Sequence, residues 1–596
     1  MRILASRHLL DRLWRHLSPR RHTQFMALLV LMILASFAEI LSIGAVLPFL
    51  AMLTDPVRVF EHPSTQPIVQ AMAITEPKQL LLPLTIAFGL ATLVAGAMRL
   101  LLLWCSTRLS YAAGADLSIK IYRGTLYQPY AIHTSRNSSE IIDGIANKTG
   151  SAIHTINMIL NLISSCVILV CILFAVLSVD PVTALAAFGG FGLIYVVIVG
   201  LTRKRLLING QTVARESTQV IKSLQEGLGG IRDVLIDGSQ AYYCQIYRNA
   251  DQLLRRAQGN NAFINYSPRY AMEALGIALI AALAYALAQQ TDGIAKAIPI
   301  LGALALSAQR LLPVLQQAYG SWTSIQGSQA SLKDTLDLLD QPLPDYVDKP
   351  VVKPLLFKEY ISFKQVSFRF SSQSPWVLRN LNFSISKGSR VGFIGTTGSG
   401  KSTLLDIVMG LLQCTEGALE VDNQTVTLAN CRAWQSHIAH VPQAIYLADS
   451  SIEENIAFGI PKDKIDTQRV RLVAQQARIA DSIESWSDQY QTIVGERGVR
   501  LSGGQRQRIG IARALYKQAD VIIFDEATSA LDNETEQSVM QAIEGLSEDL
   551  TLLLVAHRIT TLKGCSQIVE LGDGNIKRVG SYQDIINTIS ISSKTE

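Results

Sequence analysis

Long apolar runs separated by polar segments fill the first half of the chain, and short β-rich runs alternating with helical ones fill the second. The apolar runs lie at about 25–53, 80–105, 156–179, 181–202, 268–289 and 294–319. Each reaches the roughly 20 residues that cross a bilayer as a helix. Runs three and four are joined by little more than Asp180-Pro181, and runs five and six by the turn "QTDG". The longer polar segments between runs two and three, and between four and five, carry amphipathic stretches such as "LSIKIYRGTLY" and "VIKSLQEGLGGIRDVLI". They predict helices that extend the spans and turn back near 127–134 and 229–236. After Gly320 a helical stretch ends at the proline-punctuated "DQPLPDYVDKP". The pattern predicts an all-α six-span transmembrane domain followed by an α/β domain. The expected division is a basic segment 1–23, a membrane domain 24–335 with long helical extensions, a linker 336–351, and the α/β domain 352–596.

Composition agrees with a hybrid of membrane and soluble parts. The 596 residues exceed one hydrophobic core, only 17% are charged, and 49% are hydrophobic. The seven cysteines form no CxxC pair, so neither a disulfide framework nor a zinc site is expected. Arg2, Arg7, Arg12, Arg15, Arg20 and Arg21 precede the first apolar run. Such a cluster beside a span marks a membrane face rather than a nucleic-acid arm. A basic front with Ser36-Phe37-Ala38 also resembles a signal peptide, but the run continues well past Ala38, which favours an uncleaved anchor. The long polar segments hold Arg108, Lys120, Arg123, Arg136, Lys148, Arg203, Lys204 and Arg205, whereas the 54–79 loop sets Arg58 and Lys78 against Asp55, Glu61 and Glu76. This bias predicts both termini and the long polar segments on the cytoplasmic side of the membrane.

"SRVGFIGTTGSGKSTLLDIVMGLL" reads as a strand, a glycine-rich turn and a helix. Backbone N–H groups along Gly395, Thr396, Thr397, Gly398, Ser399, Gly400, Lys401, Ser402 and Thr403 suit phosphate oxygens at a helix N-terminus. Lys401 would reach the β- and γ-phosphates and Ser402 would ligate Mg²⁺, making ATP and Mg²⁺ the expected cofactors. "ADVIIFDEATSALD" supplies an apolar strand ending in Asp525, a candidate Mg²⁺ holder, and Glu526, which would polarise the attacking water. Taken alone, His557 after "TLLLVA" and Gln443 in "HVPQAIYL" are weak signals, since both residue types are common in structural roles.

Together these motifs resemble the ABC transporter superfamily in its exporter arrangement, with membrane and ATPase domains in one chain. "GTTGSGKS" is similar to its Walker A loop, "VIIFDE" to Walker B and "LSGGQ" to its signature motif. The resemblance puts Gln443 in the Q-loop as a further Mg²⁺ contact, Asp532 in the D-loop, His557 at the switch position and "VGERG" at the X-loop. Phe370 in "VSFRF" stands where exporters usually stack a tyrosine on adenine, and its ring still offers a stacking face. The resemblance also implies that Ser502, Gly503, Gly504 and Gln505 of one chain complete the phosphate cage of another. One chain holds one copy of each half, so a homodimer with two equivalent sites is expected.

The cargo is less legible. Arg99, Arg269 and Arg310 fall in the inner half of three spans, with Glu39 near mid-depth and Glu273 one turn from Arg269. The bland reading is snorkelling plus an Arg269–Glu273 pair. The sharper one is a basic cavity for a phosphate or pyrophosphate headgroup. "FAEILSIGAVLPFLAML" and "ALSAQRLLPVLQQAYGS" resemble flippases for lipid-linked oligosaccharides and related glycolipid exporters. General lipid or multidrug export is the alternative, and an ATP-gated channel or regulator a further one. Peptide export with leader cleavage is not expected, because little chain precedes the first span.

Overall fold

The computed structural model describes residues 2–54, 56–61, 66, 70, 75–177, 181–288, 293–344, 346–347, 355–526, 533–556 and 558–592, with some side chains within them outside the description. The chain divides into two compact units, Met1–Gln128 with His133–Leu343, and Pro129–Ile132 with Pro344–Glu596.

The first unit is helical. Helix α1 (Arg2–His16) precedes six long helices among the described residues: α2 (Pro19–Thr54), α3 (Leu81–Leu126), α4 (Thr149–Leu177), α5 (Pro181–Gly229), α6 (Gln240–Ala288) and α7 (Gly293–Leu339). The 49 residues of α5 span about 74 Å, more than twice the ~30 Å hydrocarbon layer. The amphipathic stretches thus continue the apolar ones as single helices. The reversals fall where expected, after Leu126 and at the short helix Ile231–Ile236. The described stretches Pro19–Ser42, Pro77–Leu126 and Ser138–Phe174 are long and apolar enough to cross a membrane. The turns at 178–180 and 289–292 lie outside the described residues. Helix α7 runs through Leu339, so the first residues of the expected linker are helical.

The sequence places the start of the fifth span at Pro268, but α6 passes through it without a break. Proline removes one i→i−4 hydrogen bond and orphans the carbonyl of Ile264. Tyr319 of α7 donates its hydroxyl to that carbonyl at 3.2 Å and supplies the lost partner from a neighbouring helix. Close approach of α5 and α7 depends on glycine, because a Cβ on Gly210 would collide with the Gly327 carbonyl oxygen.

A buried polar knot ties three helical extensions together. Asp143 is fully buried and accepts from Ser217 at 2.7 Å, Thr218 at 2.8 Å and Asn147 at 2.8 Å. Lys148 lies 3.6 Å from Asp143 and donates to Asp334 of α7 at 2.6 Å. A π-helical turn, Gly144–Lys148, brings Lys148 to this position.

The second unit holds two sheets. The first has the order β2-β1-β4-β5, from β1 (Tyr360–Phe368), β2 (Leu378–Ser386), β4 (Glu416–Val421) and β5 (Gln424–Thr425), all antiparallel. The second has the order β10-β9-β3-β8-β7-β6, from β3 (Arg390–Gly395), β6 (Ile438–Val441), β7 (Val521–Asp525), β8 (Thr551–Val555), β9 (Gln567–Gly572) and β10 (Asn575–Gly580). Strands β6, β7, β8, β3 and β9 are parallel, and β7 and β8 are continuous apolar runs, as a sheet covered on both faces requires.

Removing Asp143 takes the acceptor from Ser217 and Asn147 and one of the two carboxylates from buried Lys148, whereas Asp334 is 43% exposed and water can replace it. Asp143→Ala is therefore expected to destabilise the helical unit by about 3 kcal/mol, with Asp334→Ala costing clearly less. Apparent melting of the full-length protein in detergent measures both, and the reverse order would contradict the reading.

Candidate functional site

Strand β3 delivers the chain into the turn 396–400, and helix α8 (Lys401–Val408) leaves it. Gly398 and Gly400 have φ of +83° and +99°, a left-handed backbone that glycine adopts without strain. A Cβ on Gly400 would lie 2.6 Å from Leu378, so the turn packs tightly against the start of β2. On Gly398 it would meet nothing within 4 Å, which leaves that side open. Lys401 is 6% exposed and folds its ammonium over the carbonyls of Gly395 at 2.8 Å and Thr396 at 3.1 Å. The Ser399 hydroxyl is buried without a hydrogen-bond partner among the described residues. This glycine-walled cradle, with an unsatisfied hydroxyl and a buried cation, fits a nucleotide phosphate.

Glu526 and Val377 line the same cleft as Thr397, Lys401, Ser402 and Thr403. Strand β7 ends at Asp525, and Glu526 follows with φ of +50°. A non-glycine residue in that region is strained, and here it redirects the backbone just as the strand ends. Gln443, beyond β6, donates to Glu526 Oε2 at 2.9 Å. The structure thus brings Lys401, Ser402, Glu526 and Gln443 together. Asp532 and His557 lie outside the described residues. Phe370 is 63% exposed and edge-on to Phe368 at 5.1 Å, so its face is open for stacking.

The sequence reading missed Asp406. It lies on α8, and burial with the nearby Asp525 charge pushes its carboxyl up to about 6. Burial likewise raises Asp525, as does Glu526, while Lys401 opposes the rise. Three carboxylates near one lysine form a site short of positive charge. The signal in sequence is an aspartate following the Lys-Ser pair into the helix, visible only when β7 is known to run alongside.

Ser502–Gln505 open a different helix, α9 (Gly503–Tyr516). Ser502 accepts from the Gln505 N–H at 3.2 Å, and the Gln505 side chain accepts from the Ser502 N–H at 2.9 Å. This capping box fixes the turn and leaves the Gly503 and Gly504 N–H groups without intrahelical partners. Half-buried arginines anchor the helix. Arg513 donates to the carbonyls of Asn455 and Tyr446, both at 2.9 Å, and burial lowers its pKa to about 10. Arg508 donates to Arg478 O at 2.9 Å. The residues that line the Lys401 cleft come from around 377, 397–403 and 526, not from 502–505.

In the helical unit, Arg99 of α3 pairs with Glu39 of α2, which is 6% exposed. Arg269 pairs with Glu273 on its own helix at 2.9 Å. The side chain of Arg310 lies outside the description.

Residues 378–529 match the ABC transporter family model, and residues 24–304 match the model of the ABC transporter transmembrane region. The chain is also 31% identical over 406 residues to an ATP-dependent lipid A-core flippase of Alkalilimnicola ehrlichii, covering 67% of each chain. This chain belongs to the ABC transporter family. A second relative, the leukotoxin translocation ATP-binding protein of Mannheimia haemolytica, is 37% identical over 281 residues, but the match covers 47% of this chain and 39% of that protein. A bacterial Atm1-family ABC exporter solved with ATP bound shares the fold with TM-score 0.73, over 92% of this chain and 96% of that one, at 22% identity. This ABC transporter is thus an integral, multi-pass membrane protein that binds ATP and couples its hydrolysis to transport.

An acid held above its ordinary value loses stability as it ionises. The penalty from Asp406 is therefore absent below about pH 3.8 and complete above about pH 6. Asp406→Asn is expected to raise the apparent melting temperature of the nucleotide-free ABC transporter near pH 7.5, with the gain fading toward pH 4. A gain independent of pH would show that the carboxyl is not the source.

Proposed function

We propose that this ABC transporter flips an amphiphile with a phosphate-bearing polar head and a lipid tail across the bacterial inner membrane, a lipid-linked oligosaccharide or glycolipid being the best fit. The observation that carries this reading is the likeness to a lipid A-core flippase over two thirds of both chains. The working unit in this reading is a homodimer of six-span chains, with both termini and the ATPase unit in the cytoplasm. Each nucleotide lies between the Lys401 cradle of one chain and Ser502–Gln505 of the other. Lys401 holds the β- and γ-phosphates. Ser402, Gln443 and Asp525 hold Mg²⁺, which neutralises the cluster of carboxylates. Glu526 polarises water toward the γ-phosphate with Gln443 orienting it, and His557 and Asp532 complete the site.

Headgroup recognition centres on the Arg99–Glu39 pair. A charge within a span costs roughly 2.5–3.5 kcal/mol unless paired or solvated, and here Glu39 supplies the partner. Arg99 is half-exposed, so one face of its planar fork is open to phosphate oxygens. Arg269, paired and 60% exposed on its own helix, fits a snorkelling anchor better.

In proteoliposomes, lipid-linked glycan is expected to stimulate ATP hydrolysis and to be flipped. The double variant Arg99→Ala/Glu39→Ala removes the pair without stranding either charge. It should cut flipping at least tenfold while basal hydrolysis survives. Stimulation by uncharged drugs alone would favour general lipid or multidrug export, and normal flipping by the double variant would make the pair purely structural.

A further inference from the structure

An apolar groove lies where α1, α2 and α4 meet. Its floor is buried, with Leu13 at 4%, Phe25 at 8% and Met32 at 2% exposure, while Trp14 at 42% and Met26 at 60% form an open rim. The cavity of about 180 Å³ is slightly larger than the ~150 Å³ apolar cavity known to take up benzene.

We infer that this groove is a binding site for one acyl chain of a phospholipid drawn from the surrounding membrane. Its position points to that occupant. Phe25 and Ile156 on its wall begin the apolar runs that fall within two candidate spans, Pro19–Ser42 and Ser138–Phe174. From Met26 its rim continues into Leu29, Val30 and Ile33 on α2, all apolar and exposed, so the groove opens onto the surface that the bilayer covers. The other face of α1 is polar and tied down. Arg12 pairs with Asp337 at 2.7 Å and Asp340 at 2.5 Å, and His16 contacts Asp340 at 2.6 Å. A helix anchored on its polar side, with its apolar side over a groove at the mouth of a span, has the character of an interfacial helix. His22 stacks on Trp14 with ring centroids 4.4 Å apart and contacts the Trp14 carbonyl oxygen at 2.9 Å, so the indole is held as a fixed wall of the groove. Exposed Arg15, paired with Asp11 at 3.2 Å, and exposed Arg20 flank the break between α1 and α2, basic groups of the kind that attract anionic headgroups. This inference rests on the membrane location alone and is independent of the cargo.

The test uses full-length protein in phosphatidylcholine vesicles doped with a phospholipid carrying a diazirine near the end of one acyl chain. After irradiation, adducts are mapped by peptide mass spectrometry. Adducts on the segments around Leu13, Met26 and Ile159 should exceed those around Leu93 and Leu100 of α3, which are 71% and 70% exposed, by at least fivefold. Ile159→Phe, which fills the groove, and Met26→Trp, which closes its mouth at an exposed position, should each remove that excess without changing the α3 adducts or basal ATP hydrolysis. Equal labelling of both regions would overturn the proposal. So would an excess that survives both variants, or protein–protein crosslinks through the groove in place of lipid adducts.

Discussion

A helix leaves its first N–H groups unpaired, and this ABC transporter places two such ends at glycine-rich turns, ahead of Lys401 and after Ser502. Both ends present unpaired N–H groups of the kind that suit an anion. The first has glycines with positive φ, a buried lysine and an unsatisfied serine hydroxyl. The second has a capping box that directs side chains to the outer N–H groups and spares those of the two glycines. Parallel strands β3 and β7 carry Lys401 and Glu526 to one cleft, and Arg508 and Arg513 clamp α9 to the carbonyls around it.

The charge balance of the cleft follows from the same arrangement. Asp406, Asp525 and Glu526 crowd a region with Lys401 as the nearby cation, and burial already raises two of the three. Such a region is costly without further positive charge, which a bound cation would supply. Binding of the charged ligand and relief of this repulsion would then be coupled.

The motifs were legible because their chemistry depends on local spacing. A strand, a glycine turn and a Lys-Ser pair define the cradle within a few residues, and the capping box is written in Ser502 and Gln505 alone. The apolar runs marked the long helices, three of which hold described stretches apolar enough to cross a membrane, and the amphipathic runs marked their extensions. What escaped depends on contacts distant in sequence. Pro268 reads as a helix start until Tyr319 is seen to replace its lost hydrogen bond. Glu39 and Arg99 read as separate charges until α2 and α3 pack side by side. Asp143 carries no signal of its own in the sequence, and only the fold shows Ser217, Thr218 and Asn147 enclosing it.

The proposed function has each ATP site built from two chains. Mixed assembly of a Lys401→Ala chain with a Ser502→Arg chain tests it most directly. In the mixed dimer both lesions fall in one site and the other is intact, whereas either homodimer carries a lesion in both sites. The account predicts that vanadate-trapped nucleotide, absent from each homodimer, reappears in the mixture. No recovery in verified mixed dimers, or hydrolysis by isolated single chains at the wild-type rate, would contradict it.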